Sequence, residues 1–231
     1  MNILINGGSR GMGRETALRL AESDNNRVIV TGRDKNALRS LKGACSGKSI
    51  EVFDLDTTMR DNRLESLKNH LFSSELRIDV LINFAGLFKK ASFIEASESD
   101  VRSMMETNYF GPAFFIREMV PYMSNPSHVL NIGSMGGFQG SMRFPGLAWY
   151  SASKAALANI SESLAAELGD YGISVNCLCP GAVQTDMLSK AFPGYKAPIT
   201  AEEAAVFLAE FALTGHKYFN GKVLPLSRTT P

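Results

Sequence analysis

Short apolar runs alternate with longer amphipathic stretches along the chain. The amphipathic stretches have helical periodicity, and two of them cover residues 97–123 and 201–213. Strands that are apolar almost throughout, and that alternate with helices, are typical of a parallel sheet covered on both faces. The apolar runs predict strands over residues 2–6, 27–31, 49–53, 79–83, 129–132, 173–178 and 222–224.

No linker, internal repeat or low-complexity tract interrupts this alternation. The chain has 231 residues, and α/β folds of this length commonly form one domain. The pattern therefore predicts an α/β fold with a single domain over residues 1–231. Its expected architecture is a doubly wound, Rossmann-like parallel sheet of about seven strands with helices on both faces. Sheets of this kind bind ligands outside the carboxyl ends of their strands.

A glycine-rich turn follows the first predicted strand directly. It reads Gly7-Gly-Ser-Arg-Gly11-Met-Gly13, and a helical pattern begins behind it. Because glycine has no side chain, the backbone can approach a pyrophosphate, and the free N–H groups and dipole of the helix favour negative charge. The turn therefore predicts a nucleotide-phosphate site, with a plain tight turn as the alternative.

A tyrosine and a lysine four residues apart begin a later helical pattern. Tyr150 and Lys154 are spaced so that both side chains project from one helix face. The ordinary pKa of tyrosine is about 10, and a nearby ammonium favours the phenolate and lowers that pKa. The pair is therefore a candidate general acid/base. An ordinary helix start with an exposed lysine is the alternative interpretation.

Together these motifs resemble those of the short-chain dehydrogenase/reductase family, over essentially the whole chain. The glycines match the family's Thr-Gly-x-x-x-Gly-x-Gly loop, with Asn6 in place of the threonine, and Phe84 replaces the second asparagine of Asn-Asn-Ala-Gly. The segment between the family's serine and tyrosine is a few residues longer here, which indicates a small insertion within 141–149. The other matching positions are Asn83, Ala85, Gly86, Asn108, Ser134, Tyr150, Lys154, Pro180, Gly181 and Thr185.

The resemblance implies hydride transfer between C4 of a nicotinamide and a carbonyl carbon, with Tyr150 supplying the proton. It implies that Ser134 hydrogen-bonds the carbonyl oxygen and that Lys154 holds the ribose hydroxyls and lowers the pKa of Tyr150. Asn108 would support a water relay to Lys154. The alternatives are that Ser134 is an ordinary loop residue and that Asn108 bonds helix backbone.

Charge at the end of the second predicted strand indicates which dinucleotide binds. A site selective for NAD places an acidic side chain there, on the ribose 2′-hydroxyl. This chain has Gly32 followed by Arg33, and Arg10 of the glycine-rich turn should face the same corner. Because guanidinium groups suit bidentate phosphate recognition, we expect NADP(H) to be preferred over NAD(H). The alternative is that Arg33 only solvates a helix start.

The resemblance extends the cofactor site to residues beyond the glycine-rich turn. It implies that Asp54, after the third predicted strand, contacts the adenine. The expected cofactor-binding residues are Gly7, Ser9, Arg10, Gly11, Met12, Gly13, Arg33, Asp54, Leu55, Asn83, Ala85, Gly86, Tyr150, Lys154, Pro180, Gly181, Val183 and Thr185.

The composition limits the classes of partner that we expect. The formal net charge is +1, from 24 basic and 23 acidic residues, so no charge excess indicates nucleic acid or an anionic membrane. No apolar run has the length of a membrane span, and the first strand begins at the N-terminus, so we expect no leader and a cytoplasmic location. Cys45, Cys177 and Cys179 are expected to be free thiols, with no metal site.

The segments expected to line the substrate mouth are 87–93, 135–149 and 183–198. Their aromatic and methionine side chains indicate an apolar pocket, with local core packing as the alternative. Lysines near these loops would attract an acidic carrier or only keep the rim soluble. The side chains concerned are Phe88, Met135, Phe138, Met142, Phe144, Trp149 and Met187, and the lysines are Lys89, Lys90, Lys190 and Lys196.

Three functions stay open at this point. The first is an NADP(H)-dependent oxidoreductase that interconverts a small-molecule carbonyl and alcohol. The second is 3-oxoacyl-(acyl-carrier-protein) reductase, and the third is a nucleotide-sensing protein that kept the fold and lost catalysis. The resemblance also implies a homodimer or homotetramer formed through the helices around 108–123 and 150–168, although burial against the sheet explains their small residues equally well.

Overall fold

Nine β-strands form two sheets in the computed structural model, which describes residues 1–45, 50–58 and 62–227. The strands are β1 Asn2–Asn6, β2 Arg27–Gly32, β3 Ile50–Asp54, β4 Ile78–Asn83, β5 Met123–Ile132, β6 Ile173–Pro180, β7 Val183–Gln184, β8 Ile199–Thr200 and β9 Val223–Leu226. Seven of them make one parallel sheet in the order β3-β2-β1-β4-β5-β6-β9, and β7 pairs with β8 alone. The chain order reverses between β1 and β4, which is where such sheets bind ligands.

Helices cover both faces of the large sheet. Buried side chains of α1, α2 and α8 share a core with one face, and those of α3, α5 and α6 share a core with the other. The helices are α1 Gly11–Ala21, α2 Lys35–Ala44, α3 Asn62–Ser73, α4 Glu98–Met105, α5 Gly111–Met119, α6 Ala148–Glu167, α7 Asp186–Ala191 and α8 Ala201–Thr214.

The alternation of side chains along the strands explains why the sheet is buried on both sides. In β1, Ile3 and Ile5 belong to one core and Leu4 to the other, and all are fully buried. Burying a side chain of this size contributes roughly 1.5–3 kcal/mol. A strand that is apolar throughout therefore gains from a second layer of helices, as the apolar runs predict.

A row of buried polar side chains crosses the sheet at its carboxyl edge. Asn6 Nδ2 donates to Asn83 Oδ1 at 3.1 Å, and Asn83 Nδ2 donates to Asn131 Oδ1 at 2.8 Å. Asn131 Nδ2 then donates to Ser161 Oγ of α6 at 2.9 Å. The row satisfies polar groups that burial would otherwise penalise, and it ties α6 to the strand ends where ligands are expected.

The predicted fold class is confirmed, and the element boundaries need two corrections. The helix expected over 97–123 is α4, a π-helical turn at Glu106–Phe110, α5 and a 3₁₀ turn at Val120–Tyr122. The π turn admits an extra residue ahead of Pro112, whose missing N–H is tolerated at the start of α5. The strand expected over 129–132 begins at Met123, because Met123 pairs with Ile78 before a register shift.

Two further points concern the ends of elements. The third predicted strand, 49–53, is observed from Ile50, and residue 49 lies outside the described residues. Over the ranges that the structure describes, every helix is too short or too polar to cross a membrane.

Candidate active site

The glycine-rich turn between β1 and α1 packs against the turn that follows β4. A Cβ atom built on Gly7 would lie 2.5 Å from the Ala85 backbone nitrogen, and one on Gly13 would lie 2.6 Å from the Gly7 carbonyl oxygen. Gly7 also has a φ of 82°, which side chains rarely allow. Only glycine fits at these two positions, so the backbone is bare where α1 begins.

A cleft of about 720 Å³ opens in front of this turn. We call it the nucleotide cleft. A helix N-terminus and glycines without side chains face it, so the residues present fit the pyrophosphate of a dinucleotide. The expected cofactor residues that line it are Gly7, Ser9, Arg10, Gly11, Met12, Gly13, Arg33, Leu55, Ala85, Gly86 and Thr185.

Asn83 and Asp54 are among the expected cofactor residues that lie outside the described lining of this cleft. Asn83 is fully engaged in the buried polar row described above. The Asp54 carboxylate lies 3.1 Å from Lys35 Nζ and 3.5 Å from Arg63 Nη1, so it pairs with cations of α2 and α3. Leu55, the next residue, lines the cleft, and the adenine contact expected of Asp54 stays a prediction.

The corner expected to select the ribose phosphate also holds Asp34, an acid to which the sequence analysis gave no role. Arg33 lines the cleft as expected, whereas the Arg10 guanidinium is paired with the Asp34 carboxylate. Asp34 is also the N-cap of α2, where its Oδ1 accepts from the amides of Asn36 and Ala37 at 3.0 and 2.9 Å. The signal for this cap, an aspartate directly before a helical pattern, was present in the sequence.

A second cavity of about 500 Å³ adjoins the cleft. We call it the apolar chamber, because no charged side chain lines it in the described part of the chain. The expected residues Pro180, Gly181 and Val183 line this chamber and not the cleft, and Ser134 and Tyr150 stand in its wall. Its other lining residues are Met12, Phe88, Gly133, Met135, Gly136, Met142, Phe144, Leu147, Ala182, Thr185, Met187, Leu188, Ala191, Phe192 and Tyr195.

The segment 141–149, where the insertion was predicted, supplies Met142, Phe144 and Leu147 to the chamber wall. Arg143 Nη1 donates to the Gly136 carbonyl at 2.7 Å, and Nη2 donates to the Phe138 carbonyl at 3.1 Å. These bonds fold the loop onto the turn after β5, so Met142 and Phe144 on either side of Arg143 face the chamber. The predicted mouth residues Phe138 and Trp149 are not among its described lining residues.

Tyr150 is the third residue of α6, and its ring lies against a phenylalanine. The centroids of the Tyr150 and Phe88 rings are 4.8 Å apart. Burial raises the pKa of Tyr150 above its ordinary value, a side-chain hydrogen bond with Ser134 lowers it, and the nearby Cys179 raises it further. The predicted lowering of this pKa by Lys154 is therefore wrong in this arrangement, because loss of hydration outweighs the neighbouring groups.

Lys154 is almost completely buried one helical turn beyond Tyr150. Its Nζ donates to the backbone carbonyl of Ile132 at 2.9 Å. Burial lowers the pKa of its ammonium to about 8, and the Cys177 and Cys179 thiols oppose that shift. The Ile132 carbonyl lies two residues before Ser134, so one strand end holds both the serine and the partner of the lysine.

Asn108 lies in the π-helical turn, fully buried. Its Oδ1 accepts from the Leu87 amide at 2.7 Å, and its Nδ2 donates to the Leu87 carbonyl and to Ser153 Oγ, both at 2.9 Å. A Cβ atom on Gly86 would lie 3.7 Å from Asn108 Oδ1 and 3.6 Å from Lys154 Nζ. Asn108 and Lys154 therefore approach the same point behind the β4 turn.

Comparison with known proteins identifies the family. The family model described as short chain dehydrogenase matches residues 1–196. Dehydrogenase/reductase SDR family member 7B from Danio rerio is 32% identical over 206 residues, which are 83% of this chain and 64% of that relative. The same protein from Xenopus tropicalis is 30% identical over 204 residues, which are 83% of this chain and 64% of that relative.

A bacterial relative matches over nearly its full length. The 3-oxoacyl-(acyl-carrier-protein) reductase FabG of Chlamydia trachomatis is 30% identical over 240 aligned positions, which cover 96% of this chain and 93% of the relative. Among solved structures, a short chain dehydrogenase from Burkholderia cenocepacia in complex with NADP shares the fold, with a TM-score of 0.84 and 23% identity. That alignment covers 97% of this chain and 95% of the other. The chain belongs to the short-chain dehydrogenase/reductase family.

Proposed function

We propose that this protein is an NADP(H)-dependent oxidoreductase that interconverts a carbonyl and an alcohol, with Tyr150 as general acid/base. The observation that carries the proposal is the position of Ser134 and Tyr150. Both stand in the wall of the apolar chamber, and Phe88 and Thr185 line that chamber and the nucleotide cleft alike. A substrate in the chamber therefore meets a proton donor on one side and the cleft on the other.

The proposed chemistry needs a proton at the substrate oxygen. When bound, the nicotinamide supplies the hydride to the carbonyl carbon and is oxidised. Tyr150 Oη donates its proton to the carbonyl oxygen, so a C–H and an O–H bond replace the C=O π bond. The raised pKa of Tyr150 keeps the phenol protonated before the reaction, which is the form a reductase requires.

Ser134 and Lys154 act on the charges that develop. The Ser134 hydroxyl can donate a second hydrogen bond to the carbonyl oxygen and so align it with Tyr150. Once Tyr150 has lost its proton, the Lys154 ammonium stabilises the phenolate by charge attraction, which is stronger in a buried site than in water. Asn108 holds the Leu87 backbone on both its N–H and its C=O, and so positions the turn behind Lys154.

The preference for NADP(H) rests on the charges at the Arg33 corner. Arg33 is exposed and lines the nucleotide cleft, and Arg10 stands beside it on Asp34. An acid held as a helix cap and paired with a guanidinium is poorly placed to accept from a ribose hydroxyl. The NADP in the Burkholderia cenocepacia relative supports the same cofactor here.

The direct test is Tyr150→Phe, assayed by NADPH oxidation against aliphatic and aromatic carbonyls. We expect kcat to fall by about 1000-fold, since a positioned general acid contributes about 10²–10⁴. NADPH binding should change little, because Tyr150 lies in the chamber wall. Tyr171→Phe is the matched control, since Tyr171 is 62% exposed on the surface. Unchanged kcat in Tyr150→Phe would contradict the proposal.

A second candidate function is 3-oxoacyl-(acyl-carrier-protein) reductase. The FabG relative favours it, since it matches 96% of this chain. Lys89, Lys90 and Lys190 line the nucleotide cleft and would meet an acidic carrier protein. A higher kcat/KM for a 3-oxoacyl thioester on its carrier than for simple ketones would establish this function. Tight NADPH binding with no turnover of any carbonyl would instead favour a nucleotide sensor.

Assembly is a separate proposal. The names of the relatives indicate no oligomeric state. The small residues of α6 permit close packing between subunits, so we propose a homodimer or homotetramer. Sedimentation equilibrium that shows monomer alone would remove this proposal.

A further inference from the structure

The apolar chamber has polar side chains only as hydroxyl groups. Within the described residues these are Ser134, Tyr150, Thr185 and Tyr195. The Thr185 hydroxyl already accepts from the Leu188 amide at 3.3 Å as the cap of α7. A substrate therefore finds only uncharged hydroxyls, among them those of Ser134 and Tyr150, which are the groups that the carbonyl oxygen uses. Nothing in the remaining wall compensates a charge.

A cation stands close to this chamber but is screened from it. Lys90 Nζ lies 4.6 Å from the centroid of the Phe192 ring. Phe192 lines the chamber, whereas Lys90 lines the neighbouring nucleotide cleft and is not part of the described chamber wall. The Phe192 ring also lies 6.1 Å from the Phe88 ring, so two aromatic residues close this side.

The stem of Lys90 holds the ammonium in this position. A Cβ atom on Gly146 would lie 3.3 Å from Lys90 Cγ and 3.7 Å from its Cε, so the stem crosses the glycine of the inserted loop. The ammonium then rests on the aromatic face, where a cation–π contact is favourable. The positive charge therefore lies near the chamber, but the Phe192 ring separates it from the chamber interior.

We infer that the substrate is an uncharged carbonyl compound with apolar substituents, such as an aryl or alkyl ketone, and that Phe192 is a specificity-determining residue that keeps Lys90 from recruiting a carboxylate. The inference rests on the proposed function. A carboxylate that enters the chamber loses part of its hydration without gaining a cationic partner, which disfavours its binding. A keto acid is therefore excluded unless a cation reaches it.

The first experiment compares two ketones of nearly the same shape. Methyl para-acetylbenzoate and para-acetylbenzoate share the ring and the reacting carbonyl and differ in charge. We expect kcat/KM for the ester to exceed that for the acid by about 100-fold, since a charge that loses hydration without a partner is penalised. Equal values for the two would overturn the inference while leaving the proposed function intact.

The second experiment removes the screen. Phe192→Ala should raise kcat/KM for the acid by about fivefold or more, because the Lys90 ammonium can then pair with the carboxylate. Phe192→Leu keeps an apolar cover and should not. The gain should vanish in the double variant Phe192→Ala with Lys90→Gln. A gain that persists in the double variant would show that added space, not charge, decides, and would overturn the role given to Phe192.

Binding separates a failure of this inference from a failure of the proposed function. Both ketones are titrated calorimetrically into the Tyr150→Phe variant saturated with NADPH, where turnover is not needed. Ester binding with about 100-fold weaker acid binding supports the inference even if the wild type turns over neither compound. Equal binding of the two, or tighter binding of the acid, rejects it. Thermal melting of each variant confirms that it is folded.

Discussion

The nucleotide cleft and the apolar chamber lie side by side, yet they are built from different parts of the protein. The cleft is lined by turns that directly follow strands β1, β2, β3 and β4, and charged side chains stand around it. The chamber is lined by loops after β5 and β6, and described charged residues are absent from its wall. One region is shaped by backbone, and the other by side chains that meet through tertiary packing.

This difference explains what each region can tolerate. A residue such as Gly13 has a purely steric task that no other amino acid performs, because its hydrogen faces a backbone oxygen. The chamber wall uses Met142, Phe144 and Met187, each more than a third exposed, and flexible apolar side chains can replace one another. We therefore expect the cleft to be sensitive to single atoms and the chamber to be adaptable.

The largest effect should come from one methyl group in the cleft. Gly7→Ala places a Cβ atom 2.5 Å from the Ala85 backbone nitrogen at a φ of 82°. We expect a loss of about 4 kcal/mol in the free energy of unfolding, together with loss of NADPH binding. Urea denaturation and fluorescence titration with NADPH measure the two effects.

A glycine outside both regions provides the matched control. In α2, a Cβ atom on Gly43 would meet nothing within 4 Å. Gly43→Ala should be neutral or stabilise the protein by up to about 1 kcal/mol, since alanine favours helix. If Gly7→Ala behaved like Gly43→Ala, the claim that the backbone shapes the cleft would be refuted.

The second effect acts on the sheet that both regions share. His128 is fully buried, with Nδ1 2.9 Å from the Ala212 carbonyl and Nε2 3.1 Å from Asn176 Nδ2. Burial lowers the pKa of His128 from 6.5 to about 4; the hydrogen bond with the Ala212 carbonyl opposes this shift, and the neighbouring His216 adds to it. The unfolded chain therefore takes up a proton below pH 6.5 that the folded protein refuses until about pH 4.

The sign of this linkage is a loss of stability on acidification. The contribution of His128 is intact above pH 6.5 and falls by about 3 kcal/mol as the pH drops through 4. Urea denaturation over this range should show a steeper loss in the wild type than in His128→Gln. Identical pH profiles for the two proteins would contradict this role of His128. Because the sheet supports both regions, acid should disrupt the nucleotide cleft and the apolar chamber together. A change confined to one region should affect that region alone.

The smallest effect should be confined to one corner of the cleft. Arg33→Asp should weaken NADPH binding by about 10- to 100-fold, which matches loss of a charged hydrogen bond to a phosphate. NADH, which lacks the phosphate, should bind almost unchanged. Arg39→Asp makes the same charge change on the exposed surface of α2 and serves as the control. An equal loss for both dinucleotides would refute the assignment of Arg33.

Sequence reasoning was most successful where a residue's surroundings are close in the chain. The strand alternation predicted the sheet, and the spacing of Gly7 and Gly13 predicted a bare turn before a helix. Tyr150 and Lys154 lie one turn apart on α6, as their spacing predicted. In each case the physical cause operates within a few residues, through period, sterics or one helical turn.

Predictions failed where the surroundings come from distant segments. The ion pairs of Asp54 with Lys35 and Arg63, which α2 and α3 bring to it, were not predicted. The pKa of Tyr150 was expected to fall, but the depth of its burial depends on how loops close around it. The helix expected over 97–123 changes to a π turn at Asn108, whose hydrogen bonds reach Leu87 and Ser153.

The amino-acid sequence by itself determined a parallel sheet with helices on both faces, a bare glycine turn before a helix, and the tyrosine and lysine of the proposed site. Those features follow from local periodicity and from side chains that are absent. Only the tertiary structure decided that Phe192 stands between Lys90 and the chamber, and that burial holds the Tyr150 proton in place. Screening and desolvation depend on which atoms meet across distant segments, and that is a property of the packed protein.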